Sequence, residues 1–126
     1  MKLENQLVNL KLAKQLKKAG YPQEGLWWWV YAWEKYRYVP NKRKIILTFF
    51  GHITAQHNKE RIICVAPTVA ELGKMLPEDC FSFSQLGDWH CFESIRYFER
   101  GEEVYETDAD IEANARAKMW LYLKKS

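Results

Sequence analysis

The segment LWWWVYAW, residues 26–33, places four of the chain's six tryptophans in eight positions. β-Branched and aromatic side chains suit a pleated, packed surface better than a helix, so the segment reads as a strand. Alternation then puts Trp28, Val30 and Ala32 on one face and Trp27, Trp29, Tyr31 and Trp33 on the other. A strand that is apolar on both faces belongs in the middle of a sheet with cover on both sides. We read it from Leu26 to Val39, with Lys35 and Arg37 alternating against Tyr36 and Tyr38 and a stop at Pro40-Asn41. Trp27, Trp29, Trp33, Lys35 and Arg37 are the candidate interaction surface, as the exposed fringe of a largely buried aromatic core.

The other segments carry signals of their own. Leu3, Leu7, Leu10, Ala13 and Leu16 have helical spacing, with Gly20 and Pro22 closing an amphipathic first helix. KIILTFFGHITA (44–55), the polar QHNKE and RIICVA (61–66) read as an antiparallel hairpin. Thr68 and Glu71 have capping-box spacing at the start of VAELGKML, which Pro77 ends, and Val69, Leu72 and Met75 or Leu76 would face the core. FSFSQ, a turn at GDWH, WHCFESIRYF, a turn at Arg100-Gly101-Glu102 and the short EVYE lead into a last helix over 108–125. Its inward stripe is Ile111, Ala115, Met119 and Tyr122. Acids at its start and Lys124 and Lys125 at its end match the helix dipole.

This order implies an α+β fold: a mostly antiparallel sheet with an N-terminal helix, a short middle helix and a C-terminal helix packed on it. At 126 residues the chain has room for one domain, 1–126, with one hydrophobic core.

Charge is uneven along the chain. Residues 1–50 carry ten Lys or Arg against Glu4, Glu24 and Glu34, a net +7, and the remainder carries −4. Lys11, Lys14 and Lys18 on the first helix and the Lys42-Arg43-Lys44 run are the candidate anion-binding residues, unless the two halves neutralise each other in the fold. No metal or catalytic constellation emerges. His52 and His57 lack an HExxH frame, His90 and Cys91 are adjacent and so point to opposite faces of a strand, and no phosphate-binding glycine loop or GxSxG elbow occurs. Cys64, Cys80 and Cys91 are odd in number and lie in apolar surroundings, which fits reduced, buried thiols. No cofactor is expected.

APTVAELGKMLPE (66–78), ETDADIEANARAKMWLYL (106–123) and the N-terminal MKLENQLVNLKLAKQLKKAGYPQ together resemble a family of short uncharacterised proteins encoded in bacterial genomes and phage or prophage regions, of the Bacteroidetes type. The chain differs from that pattern at Lys74, where an acidic residue is common, and in the IEAN stretch before Ala115-Arg116. The resemblance implies a phage- or mobile-element-related context and assigns no catalytic residue, ligand or cofactor.

Two functions follow as expectations. The first is a non-enzymatic accessory domain that binds another protein or a second copy of itself through aromatic surface. The alternative is a nucleic-acid-binding domain using the basic N-terminal half and the aromatic strand. No segment reaches the roughly 18 apolar residues of a membrane span, and the N-terminus lacks the apolar run of a secretory signal, so a cytoplasmic location without a membrane partner is expected.

Overall fold

The computed structural model describes residues 3–34, 39–49, 60–78, 80–93 and 106–125. The tryptophan-rich segment forms β1 (Trp27–Trp33), and its burial alternates as the side-chain pattern requires, with Trp28, Val30 and Ala32 buried and their neighbours half-buried. β1 is the middle strand of a three-stranded antiparallel sheet, between β2 (Pro40–Phe49) and β3 (Ile62–Val65). The second sheet is also three-stranded and antiparallel, in the order β4 (Cys80–Gln85), β5 (Asp88–Glu93), β6 (Thr107–Ala109). Around these pack α1 (Leu10–Lys18), α2 (Val69–Met75) and α3 (Glu112–Lys125). The fold is α+β, with two sheets where the sequence reading had one.

The first helix is shorter than its leucine spacing implies. Leu3–Asn5 form a single 3-10 turn, and Leu7 leaves the helical path to bridge Thr68 while the Val8 N–H donates to the Pro67 carbonyl at 3.1 Å. Asn9 then caps α1, its side chain accepting from the Leu12 N–H at 2.9 Å. Of the residues at helical spacing Leu7, Ala13 and Leu16 are buried, Leu7 as bridge rather than helix, whereas Leu10 is half-buried and Leu3 is exposed; Leu12, outside that spacing, is buried as well. Gly20 ends α1 with φ 95°, where the Tyr21 N–H bonds the Leu16 carbonyl and the Gly20 N–H the Lys17 carbonyl. This is a Schellman arrangement, in which a left-handed residue lets the chain turn back on its last carbonyls.

β1 is shorter than the expected strand, because the chain reverses between Trp33 and Pro40. Pro40 and Asn41, read as its stop, instead open β2 and pair with Trp33 and Ala32. A proline is tolerated there because it is the first residue of an edge strand. β2 and β3 both pair with β1 and not with each other, so the expected hairpin between 44–55 and 61–66 is replaced by a shared central strand. Lys35, Arg37, His52, His57 and the two turns expected at 56–60 and 100–102 fall wholly or mostly outside the described residues.

The Thr68–Glu71 capping box forms in full on α2, and Leu72 and Leu76 are buried whereas Met75 is 41% exposed. α3 starts at Glu112 rather than Asp108, since Thr107–Ala109 pair with β5 as β6. Its burial is also not a stripe. Ala113, Asn114, Ala115, Ala117, Met119 and Trp120 are buried, and Tyr122, expected inward, is 37% exposed. At 3.6 residues per turn those six positions cover most of the circumference, because α1, α2, β4, β5 and β6 all pack on this one helix.

β4 and β5 are joined by a two-residue turn at Leu86-Gly87, whose φ values of 53° and 88° are both left-handed. Such a turn matches the twist of the flanking strands and favours Asn-Gly, yet its first position here is a leucine that is 98% exposed. In that region a Cβ crowds the following carbonyl oxygen at a cost of about 1 kcal/mol, and the exposed leucine has no packing to offset it. Leu86→Asn should therefore raise stability by about 1 kcal/mol, read as an increase in the denaturation midpoint at an unchanged slope with denaturant; a loss of stability would mean that the turn is held by contacts of Leu86 itself.

Candidate functional site

The tryptophans of β1 are largely committed to holding the fold. The Trp28 indole N–H donates to the Gly25 carbonyl at 3.2 Å, and that of Trp29 to the Val8 carbonyl at 3.0 Å. Trp33 lies under the Arg61 guanidinium, 4.2 Å from ring centre to Cζ, while Arg61 Nε donates to the Tyr31 carbonyl at 2.9 Å. This bond, with the stacking on Trp33, accounts for an arginine that is only 7% exposed. Trp27 differs: it is half-buried, pairs across the strands with Phe49 and meets that ring edge-on at 5.5 Å. With Leu26, 53% exposed, and Phe49, 40% exposed, it forms an apolar fringe at one end of β1 and β2. Of the candidate interaction residues, Trp27 thus lies on that fringe and Trp29 and Trp33 lie within the packing.

The candidate anion-binding residues fall into two groups. Lys11, Lys14 and Lys18 are exposed and lie within an arc of about 60° on α1. Lys11 also lines a groove of about 470 Å³ between α1 and α3, facing Lys118 and Tyr122 across it. Lys118 Nζ donates to the Asp108 carbonyl at 2.7 Å, which fixes the far wall of that groove. Lys17, on the same helix, points elsewhere and donates to the Ile63 carbonyl of β3 at 2.8 Å.

The second group is Lys42-Arg43-Lys44, and its geometry follows from the register. Tyr31 pairs with Ile45 and the adjacent Ala32 with Asn41, so all three basic residues are extra on β2 and loop out as a bulge. The Asn41 side chain accepts from the Arg43 N–H at 3.0 Å and shapes the turn. α1 packs on β3, at the opposite edge of the sheet from β2, so the two basic groups are separate surfaces. Among the described residues, none of Lys11, Lys14, Lys18, Lys42, Arg43 and Lys44 forms an ion pair. The neutralisation between chain halves that the sequence left open does not involve them.

A third feature has no precursor in the sequence reading. Arg116 of α3 donates through Nε to the Ser82 hydroxyl at 3.0 Å and pairs through Nη2 with Glu112 Oε2 at 3.4 Å, and Ser82 in turn donates to Glu112. Glu112 and Arg116 border an open groove of about 710 Å³ that is also lined by Asn5 and Gln6, by Thr68, Val69 and Ala70 at the start of α2, and by Trp89 of β5. The only sequence trace of it is the four-residue spacing of Glu112 and Arg116; Ser82 and Trp89 come from other elements.

Reactive groups are few. Cys64 and Cys91 are buried, and burial pushes both thiols up to about 11, with Lys17 and Lys14 opposing the shift at Cys64 and Arg116 at Cys91. A thiol held neutral is a poor nucleophile. His90 Nδ1 pairs with Glu106 at 3.1 Å, and the imidazole stacks on Phe83 with ring centres 5.0 Å apart. Among the described residues no group of three His, Cys, Asp or Glu side chains could hold a metal ion, and no helix is long and apolar enough to cross a membrane.

The chain matches no family model, no curated protein and no solved structure.

Burial also gives the molecule a defined alkaline limit. Cys64 and Cys91 rise from 9.0 to about 11, and the Tyr21 phenol, buried and facing Glu71, rises from 10.0 to about 12. In each case the neutral form is favoured by folding, so the contribution is complete below the unfolded value and is lost as pH climbs through the folded one. The thermal midpoint should stay level up to about pH 9 and then fall steadily toward pH 11. Replacing both cysteines with alanine should flatten the first part of that fall, and an unchanged profile in that variant would assign it to other groups.

Proposed function

We propose that the chain is a non-enzymatic binding domain for a polyanion, with nucleic acid as the partner and the α1 lysine face together with the α1–α3 groove as the contact surface. The observation that carries this reading is that Lys11, Lys14 and Lys18 share one exposed face and have no carboxylate partner among the described residues. Clustering like charges costs free energy through mutual repulsion; a polyanion relieves it by pairing with the lysines, and that pairing also releases the polyanion's condensed counterions. Tyr122, 37% exposed beside Lys118 and Lys11, offers an aromatic surface next to the cations, the combination used to stack bases while holding phosphates. The resemblance of residues 66–78 and 106–123 to phage- and prophage-encoded proteins supports an accessory role in a mobile element.

A second reading, association with a protein or with a second copy of the chain, is favoured by the Leu26, Trp27 and Phe49 fringe. Its energetics would be hydrophobic and hence insensitive to moderate salt.

The two are separated by fluorescence polarisation with single- and double-stranded oligonucleotides, on protein of mass known from light scattering. Three to four neutralised phosphates give a log–log salt slope of about −3 on duplex DNA, or about a hundredfold loss of affinity between 50 and 200 mM salt. Each of Lys11→Ala, Lys14→Ala and Lys18→Ala should lower that slope by about one. Affinity that ignores salt, or that survives the triple substitution, rejects the lysine face. A dimeric mass lost in Trp27→Glu would establish the second reading instead.

A further inference from the structure

Resting on the polyanion reading, we infer that the surface made by α1 and the α1–α3 groove is a site for single-stranded nucleic acid, in which one unpaired base enters the groove while the adjoining phosphates lie along the lysines of α1. This narrows the partner from any polyanion to one with exposed base faces. Lys11 joins the two parts of the site, because it belongs both to the exposed lysine face and to the lining of the groove.

The electrostatics of the groove select an anion. Lys11 and Lys118 line it, and among the described residues no Asp or Glu does. The Asp108 carbonyl that holds Lys118 Nζ at 2.7 Å is a neutral acceptor, so the bond fixes where the charge sits without cancelling it. Among the described residues Lys118 forms no ion pair. Along α1 a rise of about 1.5 Å per residue puts Lys11 and Lys18 about 10 Å apart. One strand of a stacked nucleic acid rises about 3.4 Å per nucleotide, so the row matches about three consecutive phosphates.

Charge alone would serve a duplex as well as a single strand, and the rest of the lining separates them. Leu12 is buried and Leu121 half-buried, which gives the groove apolar lining, and Tyr122 lines it with 37% of its surface exposed. Gln15, exposed on α1 between the lysines, can give and accept a hydrogen bond at a base edge. Apolar lining and an aromatic ring suit a base face, and a duplex keeps its base faces stacked on one another. At about 470 Å³ the groove has the size of a ligand cleft. A duplex can therefore lie on the lysines and leave the groove empty, whereas a single strand can occupy both.

The test is fluorescence polarisation of the full chain with labelled oligothymidylate and oligouridylate of about twelve residues, each set against an abasic strand of equal charge and a duplex of the same length. Salt-dependent binding is expected throughout, with the base-bearing single strands about tenfold tighter than the abasic strand and the duplex, as one stacked base allows. The tighter of the two single strands identifies the sugar. Tyr122→Leu keeps apolar bulk and removes the ring; it should abolish the tenfold difference at an unchanged salt slope, and Tyr122→Phe should retain it. The abasic comparison needs no substitution, so it decides even if Tyr122→Leu does not fold. Equal affinity for abasic and base-bearing strands, a duplex bound as tightly as the single strand, or a difference that survives in Tyr122→Leu would overturn the single-strand assignment and leave a salt-dependent polyanion site standing. Binding that ignores salt, or no binding, would reject the polyanion reading and this inference with it.

Discussion

Much of this fold leans on α3. A 14-residue helix with Ala113, Ala115 and Ala117 fully buried lets neighbours approach on several sides at once: α1, α2 and all three strands of the second sheet pack on it, while the first sheet meets α1 directly through β3. Small residues make that crowding geometrically feasible, but they also leave polar backbone and side-chain groups that need partners inside. Those partners are specific. The Asn114 side chain accepts from the Asn9 N–H at 2.9 Å, tying α3 to the start of α1, and the Thr107 hydroxyl donates to the Ala115 carbonyl at 2.7 Å, tying it to β6. The first of these links joins residues 105 apart in the chain, the second residues only eight apart. Dispersion and the hydrophobic effect supply the drive, whereas these bonds fix which of many packings is adopted.

The two edges of the first sheet are managed in different ways. On β3, side chains occupy ladder groups that would otherwise face solvent: Lys17 donates to the Ile63 carbonyl and the Gln23 side chain accepts from the Val65 N–H at 3.0 Å. On β2 three cations are extruded in the middle of the strand, which disrupts the ladder and repels another such edge. The same lysines and arginine therefore have a folding role independent of any ligand, and this is why the reading of function rests on α1 rather than on them.

Much of the architecture was legible where a residue pattern is set by one neighbour. Alternation in WWWVYAW announced a central strand, and Thr68 with Glu71 announced a capped helix, because both signals are local. The misreadings arose where tertiary partners overrode local pattern. Leucine spacing continued a helix through Leu7, but pairing with Thr68 and capping by Asn9 ended it. Pro40-Asn41 looked like a stop because a chain reversal before them is invisible to propensity. α3 showed only part of its burial, Ala115 and Met119 but not Ala113, Asn114, Ala117 or Trp120, since a helix covered nearly all round has no single polar face to reveal its orientation. The lysines of α1 were recognisable from sequence, whereas their lack of ion pairs was not. The groove at Trp89 and Arg116 could not be foreseen, as its walls come from four separate stretches of chain.

The looped-out Lys42-Arg43-Lys44 has a consequence for how such a chain can vary over time. Pairing is in register at Asn41 and again from Ile45 onward, so the three residues between contribute nothing to strand alignment. A mutation, or even a change in length at that point, leaves the inward and outward faces of β2 as they are. The charge of that edge is free to drift while the sheet stays constant. It is a place where descendants of one fold can acquire different surfaces without first having to solve their packing again.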